Sequence, residues 1–286
     1  LTTTGSGSVL VDAVSAGGDT VTVTSAAGIE ESGTDPGADI AAATIDLNAV
    51  TGIGNAAQLE MSGTAVTLDS SAGGENIDVD VLTGGSDVAL NSATIAVGAG
   101  TITLDVSGGG NLATGGNITT ANGAIDVSVD SGNLDLSGDT VSAGGVSTIS
   151  LDTTTSGDIT LGTLDAGGDT VTINSVGDID DDGAGTPDIT TDVVNLNAVS
   201  GIGGTQPVEL AAVTSVDVDN SGTGVVDVTN AATGAVTVNS LTNDTGAVDY
   251  AQTGGRTLDV TSASTTTSGT ITITNAGANL TATSVS

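Results

Sequence analysis

The chain has 286 residues, 35 acids, one basic residue and a formal net charge of −34; it contains no Phe, Trp, His or Cys. So anionic a surface repels phosphate backbones and anionic lipid, which argues against nucleic-acid and membrane partners and makes divalent cations the natural counter-ions. Without cysteine there is no disulfide and no thiolate metal site, and no run of about 20 apolar residues marks a transmembrane helix.

Leu1 opens the chain with neither Met nor a signal peptide, and Ser286 closes it in mid-pattern. The chain therefore reads as a mature segment or a window from a longer polypeptide. Gly, Thr, Ser, Asn and Asp are weak helix formers and punctuate the whole length, so helix is disfavoured. The hydrophobic fraction of 37%, carried by Val, Ile, Leu and Ala, is enough for a core and argues against disorder.

Taken in order, the first segments announce a long repeat. Leu1-Thr2-Thr3-Thr4 stands 150 residues before Leu151-Asp152-Thr153-Thr154, and Ala16-Gly17-Gly18-Asp19-Thr20 stands 150 before Ala166-Gly167-Gly168-Asp169-Thr170. Leu47-Asn48-Ala49-Val50-Thr51-Gly52-Ile53-Gly54 returns as Leu196-Asn197-Ala198-Val199-Ser200-Gly201-Ile202-Gly203, and Glu60 as Glu209, both at a shift of 149. Residues 1–150 form a first copy; residues 151–286 form a second, incomplete copy with no linker between. The Gly-Gly-Asp-Thr sites at Gly17 and Gly167 read as turns, since no Lys or helix follows to make a phosphate cradle.

Further along, Thr101-Ile102-Thr103-Leu104-Asp105-Val106 alternates polar and apolar residues, as a strand with one buried face does. Near the end Val226, Val236, Val248, Leu258 and Ile271 lead strands spaced 10 to 13 positions apart. Short strands at that spacing fit a sandwich or a solenoid. The unbroken rhythm across residue 151 and a core without rings favour an all-β fold of stacked parallel coils, a β-solenoid. Two strand–turn units per coil predict about 22 residues per coil, roughly 13 coils and a rod on the order of 60 Å.

Asp178-Ile179-Asp180-Asp181-Asp182-Gly183 has the Asp-x-Asp-x-Asp-Gly opening of a calcium loop. Alternate carboxylates would face one ion and Gly would allow the sharp turn, making Asp178, Asp180 and Asp182 candidate Ca2+ ligands. Position 12 is Ile189 rather than Glu, and the first-copy equivalent, Ile29-Glu30-Glu31-Ser32-Gly33, has fewer carboxylates. A solvated acidic turn is the competing reading. Tyr250 would pack against the rod or a partner, Arg256 would form a surface ion pair with a nearby Asp that contributes little, and Thr270, Thr272 and Thr274 read as outward strand residues. Catalysis is not expected: with no His, Lys or Cys, acid–base and electrostatic roles have few candidates, and aromatic sugar platforms are missing.

Gly157-Asp158-Ile159-Thr160-Leu161, Ala166–Ile173 and Leu196–Gly203 with Glu209 resemble the repetitive passenger region of filamentous-haemagglutinin-like bacterial exoproteins. The resemblance implies a right-handed parallel β-helix, secretion to the bacterial cell surface, and service as a stalk, fibre or adhesin; it brings no catalytic residues. Three roles stay open: a structural filament, sheath or matrix fibre; the stalk of an adhesin; a calcium-stabilised surface layer. The expected partners are copies of the chain or further repeats of it, end-to-end or lateral, and divalent cations.

Overall fold

The computed structural model describes residues 1–33, 35–185 and 187–286. Among them are 31 strands and no helix, and the paired strands run parallel. They stack as a β-solenoid of about 12 turns. One inward column shows the winding: Val9, Ile29, Ile53, Ile77, Ile102, Ile125, Ile149, Val171, Val194, Val216, Val238, Val260 and Ala282 each pair with the next. Every step of the column is close in length to the expected coil, the shortest running from Val9 to Ile29 and the longest from Ile77 to Ile102. At a strand spacing of about 4.8 Å they make a rod of roughly 58 Å.

Strand alternation supplies the core. In Ile77–Leu82 and Ile102–Ser107 every second residue is buried and the residues between face outward. Leu59, Val79, Leu104, Val127, Leu151 and Ile173 form another inward column, and all are sealed from solvent. Aliphatic residues stack on aliphatic residues, so each coil buries its apolar face against its neighbours alone.

The strands within a coil differ from the expectation of two units. The coil opening at Ile125 has three, Ile125–Ser131, Leu134–Asp135 and Thr140–Ala143, and so three faces. Later coils return to two longer strands, such as Ser215–Thr223 with Val226–Ala231 and Val236–Thr245 with Val248–Thr253. In the middle of the rod, short strands turn at glycine-rich corners.

The inward position also changes chemistry along the rod. The column Leu164, Ile189, Leu210 continues as Asn230, Gln252 and Asn275. Asn230 and Gln252 are buried. Asn230 Nδ2 donates to the Val213 carbonyl at 3.0 Å and to the Tyr250 hydroxyl at 3.3 Å. Tyr250 thus packs inside the rod, stacked between Val228 and Ile273.

The 150-residue repeat is not a whole number of coils. From Leu47 six pairings lead through Leu68, Ala93, Ile118, Val141 and Leu164 to Ile189. The sequence counterpart of Leu47 is Leu196, which lies beyond Ile189 in the chain and in a different column, above Ile173. Corresponding residues of the two copies therefore sit six coils apart and one face around the rod.

Candidate functional site

Outward positions carry the acids, and the pairing register decides what each one meets. Many face donors rather than other acids. Asp152 accepts from Ser150 Oγ at 2.9 Å and Asn174 Nδ2 at 2.6 Å. Gln58 Nε2 donates to Asp78 at 3.1 Å and Asp105 at 2.8 Å. Ser107 Oγ donates to Asp80 at 2.9 Å. Alternating carboxylates with amides and hydroxyls spreads the charge without bases.

In other places acid meets acid across coils. Asp227 pairs with Asp249, and Glu60, Asp80 and Asp105 follow one another on successive coils. There the carboxyls are pushed above their ordinary range: Asp80 by burial and then by the Asp105 charge, Asp227 by burial and then by Asp249. Both causes disfavour the ionised form.

The predicted calcium loop lies partly in a strand. Asp178–Asp181 is extended with Ile179 pointing inward, which places Asp178 and Asp180 on the outer face. The Asp178 backbone N–H donates to Asp158 at 2.9 Å. Both carboxyls are raised, first by burial and then by neighbouring acids. Asp182 lies beyond the strand end, where its carboxylate accepts from the N–H groups of Gly138 at 2.9 Å and Ala184 at 2.8 Å. Among the described residues, Asp182 gathers with Asp181 and Asp188, not with Asp178 and Asp180.

Two carboxylate groups emerge from this packing. In the first, Glu31, Asp39 and Glu60 each bring one oxygen, all within 4.8 Å of one another; in the second, Asp181, Asp182 and Asp188 do the same. Asp39 and Asp188 are 1% and 3% exposed, and each directly precedes the inward residue of a strand, Ile40 or Ile189. Each accepts a backbone N–H from the coil above: Glu60 N–H to Asp39 Oδ2 at 3.3 Å, Glu209 N–H to Asp188 Oδ2 at 2.7 Å. Burial raises the Asp39 carboxyl, and the Glu31 and Asp35 charges add to the effect. Burial, with Asp181 and Glu209 nearby, pushes Asp188 up to about 8. Sequence reading missed Asp39 because Glu60 reaches it only through the coil register, and Asp188 because it stands at the next strand start, six residues after Asp182; the visible hint was the match of Glu60 with Glu209.

Elsewhere the surface is shallow. A groove of about 290 Å³ beside Ala42 and Gly63 is lined by Gly, Ala, Ser and Thr, and one of about 360 Å³ by Pro187, Glu209, Leu210 and neighbouring threonines. Arg256 lies in an exposed turn, its carbonyl accepting from Gln252 and Asn275. Among the described residues no helix is long and apolar enough to cross a membrane. No family model, curated protein sequence or solved structure matches the chain.

Proposed function

We propose that this chain is a non-enzymatic structural rod, a segment of a secreted filament, sheath or matrix fibre at a bacterial surface, as its likeness to filamentous-haemagglutinin-like exoproteins implies. The observation that carries the reading is the unbroken inward column from Val9 to Ala282. Each coil adds rise and fills its interior with its own aliphatic side chains, so the sequence is spent on length. Stability in such a stack accumulates from neighbour contacts, which suits a load-bearing element.

The lack of His, Lys and Cys agrees with this role. Binding hot spots favour exposed aromatics, whereas the single aromatic here, Tyr250, is buried.

The test is to express the chain alone and as concatenated copies of the long repeat, and to image them by negative stain. Rods should lengthen by about 30 Å for each added repeat, six coils and a fraction at about 4.8 Å per coil. Particles that widen without lengthening would contradict a rod. Fractionation of cells expressing the parent protein should place it at the surface; a purely cytoplasmic pool would refute the extracellular part.

A further inference from the structure

Close stacking imposes glycine at many corners of this rod, and at one of them that choice has a chemical consequence. A Cβ on Gly123 would collide with the Gly100 carbonyl of the preceding coil, so the position is reserved for glycine. The residue before it is Asn122, and the two make the chain's one Asn-Gly dipeptide. Glycine has no side chain to shield its nitrogen, so that nitrogen can approach the asparagine side chain with the least hindrance.

The fold leaves this pair free where it holds others. Asn122 is exposed, and both residues lie outside the strands. Among the described residues the Gly123 N–H donates to no backbone or side-chain acceptor. The Asn122 side chain makes one hydrogen bond, from Nδ2 to the Gly98 carbonyl at 3.3 Å. Asn is followed by Ser, another small residue, at four places, and there the nitrogen is engaged. Ser92, Ser221 and Ser240 lie inside strands, and the Ser175 N–H donates to the Asn197 carbonyl at 2.8 Å. At the Asn122–Gly123 peptide itself, Ser147 Oγ on the next coil donates to the Asn122 carbonyl at 2.9 Å. A donor on that oxygen stabilises the charge that the peptide acquires when its nitrogen loses a proton.

We propose that Asn122 is a self-modification site, converted to aspartate and isoaspartate through the Gly123 nitrogen, with the Ser147 hydroxyl promoting the step. Hydroxide takes the Gly123 N–H proton and becomes water. The nitrogen then bonds to Asn122 Cγ, the Cγ–Nδ2 bond breaks, and Nδ2 leaves as ammonia with a proton from water, which returns the hydroxide. Water opens the resulting cyclic imide: attack at Cγ gives aspartate, and attack at the backbone carbonyl gives isoaspartate. Water is the one co-reactant. Both products put a carboxylate where Nδ2 donated to Gly98. Isoaspartate also adds a methylene to the backbone at a corner where the Gly100 carbonyl leaves no room.

The experiment is incubation of the full folded chain in mildly alkaline buffer, then peptic digestion and fragmentation mass spectrometry, which locates each new acid and tells isoaspartate from aspartate. Asn122 should convert first, to a mixture of the two acids, while Asn91, Asn174, Asn220 and Asn239 stay amides. Ser147→Ala should slow the conversion roughly three- to tenfold, in keeping with one hydrogen bond to a developing charge. Ser147→Thr keeps the hydroxyl and should restore the rate. In denaturant the Ser147→Ala effect should vanish, which separates the action of the folded corner from the reactivity of the dipeptide alone. An Asn122 that persists in the folded rod while it converts in denaturant would overturn the proposal, and so would earlier conversion at any of the four Asn-Ser pairs. A folded Ser147→Ala chain that converts as fast as the parent, or faster, would overturn the assignment to Ser147.

Discussion

The faces and the corners of this rod obey different rules. On the faces, Leu59, Val79, Leu104, Val127, Leu151 and Ile173 follow one another in a single column, so residues of different shape occupy equivalent positions. At several corners glycine stacks on glycine. A Cβ on Gly157 would collide with the Gly132 carbonyl, and one on Gly246 with the Gly224 carbonyl. The rise between coils is the same in both regions, but the geometry differs. A face side chain points across the rod into shared apolar space, whereas a corner Cβ points along it into the backbone of the coil below. The core therefore tolerates exchange among aliphatics, and the corner backbone sets how closely the coils approach.

The comparison can be broken by substitution, most severely at the corner. Gly157→Val adds a β-branched side chain at φ +124° against the Gly132 carbonyl. It should cost on the order of 4 kcal/mol or more, the range of diagnostic single changes. Leu151→Ala, at a position with 0% exposure, should cost about 2–5 kcal/mol through lost burial and a cavity. Denaturant titrations followed by circular dichroism would rank the two; a valine at 157 milder than the alanine at 151 would reverse the comparison.

A further effect is spread over pH. The Asp188 carboxyl is pushed up to about 8 in the folded rod, against about 3.9 in an unfolded chain. The folded form then binds more protons at this group between those values, so its contribution to stability is complete below about pH 4 and is lost as pH rises towards about 8. Melts in chelator across that range should slope downward, and Asp188→Asn should flatten the slope; a parent stability that rose with pH would contradict the burial argument. The smallest effect belongs to the outer face. Thr237 points outward on Val236–Thr245, and Thr237→Ala should move stability by no more than about 0.5 kcal/mol.

Much of this architecture was legible residue by residue. The alternation at Ile102, Leu104 and Val106 identified inward positions, and the spacing of Val226, Val248 and Ile271 led to coils of about the right length. The third strand of the middle coils was not legible, because Leu134–Asp135 and Ile189–Thr190 are too short for a periodicity to register. The acidic site was half legible. The run around Asp182 stood out because its carboxylates are adjacent in sequence. Asp39 and Glu60 are far apart in sequence, and only the coil register, which sets Ile40 beside Met61, brings them together.

The sequence by itself determined that this is an almost aromatic-free, almost base-free stack of parallel aliphatic coils built on one long repeat. Residue chemistry and spacing suffice for that, since a β-branched inward residue every coil leaves few other ways to bury it. Only the tertiary structure decided the phase of the repeat against the coil. Six coils from Leu47 to Ile189 take 142 residues (189 − 47) whereas the repeat from Leu47 to Leu196 takes 149 (196 − 47), and the difference of 7 carries the second copy one face on. The two carboxylate groups consequently lie on different sides of the rod, although their sequences are nearly in step.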